Sequence, residues 1–444
     1  MSAKFCNFAL MRLHLCISAI LFCISVASAQ DICHPELGSS VASKGGLRLT
    51  LSDRRQNWDM REKQTFTPSI ISPKSVNIHP DGSKFYVNSL EGASTVVFDA
   101  ATRRVLSKVR HVFNDSHTPL WAPPSGYYPF RHYDEDLNTF RGRPVESVFT
   151  HGGRYLWIPY YRRSFDLNAQ DPSALCVIDT RTDRIVRLME AGVLPKMIAV
   201  SPDNSRVAVA HWGDNTVGYI DCSSSDPARW HHLRPFVVDR QLKWDLSLTE
   251  PVNRDSGSGN ALRGTVFTPD GRYLLVSCMG GMGCIAVIDT KASGGRYLGK
   301  LFGMMPNVRH MIFSGQNLYL SINRAGYVQR ISLSRLYAGI DALRKSPRRQ
   351  HTISAGWQSA KVGAGARTIV SSPKGRFIFV ACNITSSLDV VDTKTMKRVL
   401  SLPLDSYPVG MDISADGRTL YVTSQGRKDR IPSGNCVDIV TVKY

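Results

Sequence analysis

One phrase recurs seven times along this 444-residue chain: a short apolar run, a tight turn rich in Asp, Gly and Asn, and a second apolar run. It is clearest at residues 267–276 (FTPDGRYLLV), 369–380 (IVSSPKGRFIFV) and 413–422 (ISADGRTLYV). Weaker copies begin at Asn77, Val148, Ala199 and Ile312. Each copy has the pattern of a β-hairpin. A hairpin repeated at wide, uneven intervals predicts an array of small sheets.

A third apolar segment follows most copies, for example LCVIDT at 175–180 and LDVVDT at 388–393, and leaves room for a fourth strand. Turn-to-turn steps are 44 residues from Asp270 to Ser314 and 42 from Lys374 to Asp416. These steps match the roughly 40–50 residues of propeller repeats. The sequence therefore predicts an all-β protein, a seven-bladed β-propeller of four-stranded antiparallel blades. The aspartates that end each third strand are predicted to form Asx turns.

The segments FYVNS from Phe85 and LYVTS from Leu420, with the VIDT and VVDT segments, resemble the YVTN β-propeller repeat family. The resemblance covers about residues 74–444 and implies an exported seven-bladed propeller, similar to the lactonase-like and surface-antigen-type propellers. It does not imply one function, because propellers of this kind serve many roles.

Residues 1–29 have the pattern of a signal peptide: Lys4 and Arg12, then an apolar stretch at 13–26, then Ala27-Ser28-Ala29. We therefore expect export to the periplasm or the cell exterior, with no transmembrane anchor. Residues 30–73 hold no complete repeat, and we expect this N-terminal segment to close the ring. A segment such as 64–71 would supply the missing fourth strand of the last blade. The propeller itself then spans residues 74–444.

Seven of the ten cysteines lie beyond the signal peptide. Cys278 with Cys284, or Cys33 with Cys436, would form disulfides, but free buried thiols fit the spacing equally well. No Cys or His cluster has metal-ligand or haem-attachment spacing, so no cofactor and no metal is predicted.

The net charge is +19, or +17 without the signal peptide, which favours an anionic partner. Seven residues before the second turn residue of each phrase, allowing for the shortened fifth copy, lie Lys74, Val145, Lys196, Arg263, Arg309, Arg367 and Val409. Five of these seven are basic, whereas 55 Lys and Arg in 444 residues predict about one. In a propeller this position opens the innermost strand, so the five cations are predicted to surround one mouth of the central channel. The alternative is that each cation pairs locally, with Glu146 or Asp412 among the available carboxylates.

Loops between the second and third strands are predicted to share that face. They contribute further candidate binding residues: Arg162, His211, Trp212, Arg324, Asn383 and Arg427. The long insertions at 111–144, 162–174, 228–261 and 425–435 are assigned to the same side, which usually marks the working face of a repeat fold. Residues 334–346 are an exception, because their spacing predicts a short packed helix.

Two function classes follow from this pattern. The first is an exported, non-catalytic propeller that binds an anionic ligand (a small molecule, glycan, nucleic acid or envelope component), with a protein partner through the inserted loops. The second is a hydrolase resembling the lactone-cleaving relatives of the fold, acting on an acidic or phosphorylated substrate, with Glu146, His211 and His310 as acid/base candidates. A structural role in an envelope assembly is a third alternative. We favour binding, because none of the three acid/base candidates lies in a catalytic motif.

Overall fold

The computed structural model describes residues 34–129, 138–243, 250–292, 294–426 and 434–444. These residues form seven sheets, one for each blade of a β-propeller, which confirms the predicted fold class. The inner strands of neighbouring blades contact one another in sequence order, and the last contacts the first. The predicted signal peptide lies outside the described residues. Within the described ranges, no helix is long and apolar enough to cross a membrane.

The strands follow the repeats of the sequence. The described chain begins with β1 (Ser40–Ala42) and β2 (Arg48–Gln56). Blade 1 is β3 (Pro73–Ile78), β4 (Lys84–Ser89), β5 (Ser94–Asp99) and β6 (Val105–Arg110). Blade 2 is β7 (Val112–Phe113), β8 (Phe140–Pro144), β9 (Val148–Thr150), β10 (Tyr155–Arg163), β11 (Ser173–Asp179) and β12 (Arg184–Ala191). Blade 3 is β13 (Pro195–Val200), β14 (Arg206–His211), β15 (Thr216–Asp221) and β16 (His231–Val237).

The later blades vary more at their outer edges. Blade 4 is β17 (Leu262–Phe267), β18 (Tyr273–Cys278), β19 (Cys284–Asp289) and β20 (Arg296–Phe302). Blade 5 begins with β21 (Val308–Ser314), β22 (Asn317–Ile322) and β23 (Tyr327–Ser332). Helix α1 (Leu333–Lys345) and β24 (Gln350–Thr352), which pairs in parallel with β20, precede its outer strand β25 (Gln358–Lys361). Blade 6 is β26 (Ala366–Ser371), β27 (Phe377–Cys382), β28 (Ser387–Asp392) and β29 (Lys397–Pro403). Blade 7 contains β30 (Pro408–Ile413), β31 (Thr419–Ser424) and β32 (Cys436–Lys443).

The turns of the repeated phrase are built by aspartate side chains. Asp81 Oδ1 accepts the Ser83 N–H at 2.8 Å, and Asp416 Oδ1 accepts the Arg418 N–H at 2.9 Å. Asp392, at the end of a third strand, accepts the Lys394 N–H at 2.8 Å. These are Asx turns, as predicted, because a short carboxylate can bond the backbone two residues ahead.

Apolar side chains from facing sheets form the core between neighbouring blades. The cluster between blades 4 and 5 also takes in one face of α1 through Leu336, Ile340 and Leu343. The predicted helix is therefore confirmed, although its N-cap is Ser332, whose Oγ accepts the Arg335 N–H. The cap lies two residues earlier than the sequence pattern placed it.

The outer strand of blade 7 comes from the N-terminal segment. Strand β2 pairs antiparallel with β32 from Arg48↔Lys443 to Gln56↔Cys436, which leaves no open edge on β32. The prediction that residues 64–71 supply this strand was wrong. In that stretch Phe66 makes only an isolated bridge to Gln56. Leu47, Leu49 and Leu51 are the residues that fill the blade core, and their alternation, not a hairpin phrase, marks the closing strand.

A buried ion cluster fixes β2 to blade 7. Arg54 Nη2 lies 2.6 Å from Asp405 Oδ2, and Arg54 Nε donates to Asp438 Oδ1 at 2.8 Å. His34 Nδ1 lies 2.9 Å from Asp405 Oδ1. Asp405, Cys436 and Asp438 have their ligand atoms close enough to hold a metal ion, but the Arg54 guanidinium already lies between the two carboxylates. This cluster is accordingly an ion-pair clamp.

The cysteines of the described residues are buried and free. Cys278 and Cys284 face each other across the hairpin of blade 4 without forming a disulfide. Cys436 is a free thiol as well, while Cys33, its alternative partner, lies outside the described residues. At these six positions the structure contains free buried thiols, the alternative to disulfides.

Candidate functional site: a basic channel mouth

Each cation of the predicted ring lies at a bulge at the start of an inner strand. It is the second residue of its strand, and the pairing register shifts there, as between Pro73 and Ser75 in β3. The same shift occurs in β13, β17, β21, β26 and β30. Two residues earlier the backbone is left-handed, with φ of 53° at Leu194 and 51° at Ala261. In each of these blades, a bulge after such a turn directs the side chain of the ring residue toward the same region.

These bulges bring the five basic residues to one cavity. Its volume is about 360 Å³. The predicted ring residues that line it are Lys74, Val145, Lys196, Arg263, Arg309 and Arg367. The cavity is also lined by Leu90, Tyr161, Trp212, Asp255, Tyr407 and Gln425. Val409, the seventh position, is buried. The sequence thus predicted correctly which cations converge.

Two of the five cations have carboxylate partners. Lys196 Nζ donates to Asp255 Oδ1 at 2.9 Å, and it lies 3.9 Å from the centre of the Tyr161 ring. Burial lowers the pKa of Lys196 to about 7, although Asp255 opposes this shift. Arg263 Nη2 donates to Glu146 Oε1 at 2.9 Å. Its Nη1 donates to the Lys196 carbonyl oxygen at 2.8 Å, which ties blade 4 to blade 3. For these two cations, the local-pairing alternative is the correct one.

The other three cations have no carboxylate partner among the described residues. Lys74, Arg309 and Arg367 form no ion pair with any residue in the described ranges. Arg367 lies 5.9 Å from the centre of the Tyr407 ring. Burial, together with Arg367 and Arg263, lowers the pKa of both Lys74 and Arg309 well below their usual values. Burial and Arg263 lower the pKa of Arg367 to about 10. The three cations therefore repel one another in a place that water solvates poorly.

Neighbouring blades hold the backbone of the ring in place. Ser321 Oγ donates to the Arg367 carbonyl oxygen at 2.6 Å, and Asn88 Nδ2 donates to the Val145 carbonyl oxygen at 3.2 Å. Blade 7 comes so near blade 1 that a Cβ on Gly410 would lie 2.6 Å from the Lys74 carbonyl oxygen. Because these contacts join different blades, they fix the backbone from which the ring side chains extend.

The loop residues predicted for the same site divide into two groups. Trp212 lines the cavity, with its Nε1 donating to the Asp255 carbonyl oxygen at 2.9 Å. Arg162 stacks on Tyr161 at 4.7 Å, and its guanidinium donates to the Leu167 carbonyl oxygen. Arg324 is exposed and does not line the cavity. Arg427 lies outside the described residues.

His211 and Asn383 were wrong as members of the mouth. His211 is fully buried inside blade 3, where Nε2 accepts the Gly192 N–H at 3.0 Å and Nδ1 lies 2.8 Å from Thr216 Oγ1. Asn383 is also buried. His211 is the last residue of β14 and packs inside the blade, whereas Asn383 directly follows β27, where its N–H donates to the Gly365 carbonyl oxygen at 3.0 Å.

Below the mouth, the central channel forms a second cavity of about 510 Å³. Glu146, His310 and Asp412 line it. Burial would raise the pKa of Glu146, but Arg263, Lys74 and Arg367 lower it overall, so this side chain is a carboxylate at neutral pH. Burial lowers the pKa of His310 to about 4, and Nδ1 accepts the Ile369 N–H at 3.2 Å. Asp412 accepts the Ile78 N–H at 2.8 Å and pairs with none of the ring cations.

Four residues of the mouth were missed by sequence reasoning: Leu90, Tyr161, Asp255 and Tyr407. Gln425 begins the 425–435 insertion that was assigned to this face. Tyr407 precedes β30 by one residue, in the left-handed position that precedes most ring residues (φ 63°). That position could have been found by counting back two residues from Val409. Asp255 comes from the 228–261 insertion, and no repeat spacing marks it.

No protein-family model matches the chain, and no curated protein sequence matches it. Solved structures do. The hydrazine synthase of Kuenenia stuttgartiensis matches with a TM-score of 0.55 and 15% identity, covering 83% of this chain and 95% of the other. The Cps50 (Swd1) β-propeller domain of Myceliophteria thermophila matches with a TM-score of 0.54 and 12% identity over 84% and 97% of the two chains. A chain of a mitotic checkpoint complex matches with a TM-score of 0.56 and 10% identity over the full length of both. At these identities the likeness shows the β-propeller fold and nothing finer.

Proposed function

We propose that this protein is an exported, non-catalytic propeller that binds an anionic ligand, a small molecule or a segment of a polymer, at its basic channel mouth. One observation carries the proposal: five cations converge on one cavity, and only two of them, Lys196 and Arg263, have a carboxylate partner among the described residues. An excess of buried like charge is costly unless a counter-charge occupies the site. An anionic ligand supplies that counter-charge.

Export and family membership are parts of the same proposal. Export is supported by the charged, apolar and small-residue order of residues 1–29, and the N-terminal sequence of the secreted protein would test it directly. A start near Gln30 is expected, and an intact N-terminus would contradict export. Divergent membership of the YVTN repeat family is supported by FYVNS and LYVTS, which occupy corresponding second strands of blades 1 and 7.

Charge reversal within the mouth tests the binding function. Arg309→Glu with Arg367→Glu changes two unpaired cations, and we expect it to abolish retention on a phosphocellulose column at moderate salt. Arg324→Glu with Arg348→Glu is the matched control, because both residues are exposed and the change in net charge is the same. Equal loss of retention in the two double variants would assign the binding to the overall charge and overturn the proposal. Thermal unfolding of each variant verifies that it folds.

A hydrolase is the second candidate, because Glu146 and His310 both line the channel directly below the cationic mouth. With its pKa lowered to about 4, His310 is neutral at pH 7 and has the protonation state of a general base. This candidate requires that the protein opens lactones or cleaves phosphate esters, and that His310→Gln removes the activity. Binding of an unchanged anion without turnover would rule it out.

A further inference from the structure

The charge at the mouth is distributed unequally around the ring. The paired cations, Lys196 and Arg263, belong to blades 3 and 4. The three without a carboxylate partner in the described ranges, Arg309, Arg367 and Lys74, belong to blades 5, 6 and 1. Blade 7 lies between blades 6 and 1 and contributes no charge at the ring position. The unneutralised charge therefore forms one arc that runs from blade 5 through blade 7 to blade 1.

The rest of the lining combines the two ion pairs with apolar and aromatic side chains. Leu90, Val145 and Tyr161 come from blades 1 and 2, and Trp212 follows from blade 3. Val145 interrupts the ring of cations where a sixth basic residue would otherwise stand. The Tyr161 hydroxyl donates to Asp255 and its ring lies against Lys196 and Arg162, so Leu90, Val145 and Trp212 supply the apolar surface. A ligand that fills the cavity meets cations on one side and apolar or aromatic surface on the other.

The cavity is also larger than a simple anion. Its 360 Å³ corresponds to about twelve water molecules at roughly 30 Å³ each. Small-molecule sites in proteins begin at about 300 Å³ and combine apolar surface with a few placed polar groups. A carboxylate has two oxygens and one charge, enough for a single Arg fork. A phosphate monoester has three terminal oxygens and about two charges at neutral pH, which suits three cations better.

We infer that the ligand is a small organic phosphate monoester, with its phosphate held by Lys74, Arg309 and Arg367 and its apolar part against Leu90 and Trp212. This inference rests on the proposed binding function and specifies its ligand class. Arg309 and Arg367 contact phosphate oxygens as planar two-donor groups, whereas Lys74 acts as a point charge. The paired cations, Lys196 and Arg263, complete the wall but keep their own carboxylates.

Calorimetric titration of the mature protein with four probes tests the inference: phenyl phosphate, inorganic phosphate, phenyl sulfate and benzoate, at pH 7.5 and one ionic strength. Phenyl phosphate is expected to bind at least about tenfold more tightly than each of the others, because only it has both the second charge and the apolar part. Arg309→Gln is expected to weaken phenyl phosphate binding about tenfold, and the exposed control Arg348→Gln to leave it unchanged. Leu90→Ser is expected to weaken phenyl phosphate but not inorganic phosphate.

The outcomes separate the ligand class from the function. Phenyl sulfate or benzoate binding as tightly as phenyl phosphate would overturn the phosphate assignment and leave anion binding intact. Inorganic phosphate binding as tightly would overturn the apolar contact. If none of the four binds while phosphocellulose retention still depends on Arg309 and Arg367, the ligand class is wrong. If that retention does not depend on them either, the proposed function itself fails.

Discussion

Single residues determine how much of the positive charge at the mouth is available to bind a ligand. Glu146 sits at the junction of the mouth and the channel, bonded to Arg263 and close to Lys74 and Arg367. Its carboxylate is in effect an internal anion that partly neutralises the ring. Asp255 does the same for Lys196 from the inserted loop. These two carboxylates therefore reduce the repulsion among the ring cations in two places. The other three cations have no carboxylate partner among the described residues.

Removal of the internal anion should strengthen binding and weaken the fold. Glu146→Gln is expected to raise the affinity for phenyl phosphate roughly fivefold, equivalent to about 1 kcal/mol. The pKa of Glu146 is lowered in the fold, so its charge stabilises the protein above the pKa of the unfolded chain, and that stabilisation is lost as pH falls through the folded value. The variant should thus unfold more easily at pH 7, and its difference from the wild type should shrink as pH falls through the folded pKa of Glu146. Glu190→Gln, whose carboxylate bonds Ser125 away from the mouth, is the control. Lower affinity in Glu146→Gln would contradict this account.

Asp412 should respond to pH in the opposite direction. Burial raises the pKa of Asp412 to about 6, although the Ile78 and Ile413 N–H groups oppose the shift. An acid with a raised folded pKa destabilises the fold as pH rises from about 4 through 6. In Asp412→Asn, the difference in unfolding free energy between pH 4 and pH 7 should change by roughly 1–3 kcal/mol, since the variant lacks this titration. Urea denaturation at both pH values measures it, and parallel pH profiles of variant and wild type would refute it.

At the scale of strands, closure of the ring depends on one clamp. Arg54 of β2 bonds the buried carboxylates of Asp405 and Asp438, which raise the pKa of Arg54 despite its burial. Arg54→Met would leave both carboxylates without their guanidinium, at an expected cost of about 3–5 kcal/mol in unfolding free energy. The loss should shrink below pH 5, where the carboxylates protonate. Arg48→Met, at the exposed start of the same strand, should change stability by less than about 0.5 kcal/mol. Equal effects of the two substitutions would show that Arg54 is not a clamp.

The comparison of β2 with the other strands shows where sequence reasoning succeeds and where it fails. Inner strands could be predicted because a hairpin phrase with Asx turns fixes both their position and their register. Strand β2 is a single strand that pairs with the far end of the chain, so no local turn identifies it. Its partner β32 lies near the other end of the sequence. Only the alternation of Leu47, Leu49 and Leu51 marks β2 as a strand in the sequence. The same lack of a local turn signal explains why residues 64–71 were wrongly predicted to be the closing strand.

In the candidate site, too, some features could be predicted from the sequence and others could not. The five cations occupy a repeat position, so counting along the chain was enough to bring them together. Of the two carboxylates that neutralise ring cations, Glu146 was named as an available partner, whereas Asp255 was not, because it lies in an insertion that no repeat spacing marks. His211 was misplaced because side chains at the end of a second strand alternate between two directions, so a shift of one residue moves a side chain into the blade.

At the scale of the molecule, the arc of unpaired cations straddles the seam of the ring. Blade 7 is the blade closed by β2, and it lies between Arg367 of blade 6 and Lys74 of blade 1. The inner strand of blade 7 packs against both neighbours, with Thr368 Oγ1 donating to the Val409 carbonyl oxygen at 2.6 Å. A ligand that bridges Arg367 and Lys74 must therefore hold together the blades on either side of the closing strand.

This placement links ligand binding to closure of the ring. An anion that binds only the closed propeller stabilises it by RT ln(1 + [L]/Kd), about 2.7 kcal/mol at a hundredfold excess over Kd. Phenyl phosphate should therefore raise the denaturation midpoint and slow hydrogen exchange of the β2 and β32 amides, which are about as remote in sequence as two strands can be. Arg367→Gln should remove this protection, whereas Arg324→Gln should retain it. Conversely, Arg54→Met should bind phenyl phosphate more weakly, because part of the binding energy is then used to close the ring. If the exchange of β2 is unchanged by a saturating ligand, while the midpoint rises, then binding does not act through the seam and the anion is held within blades 5 and 6 alone.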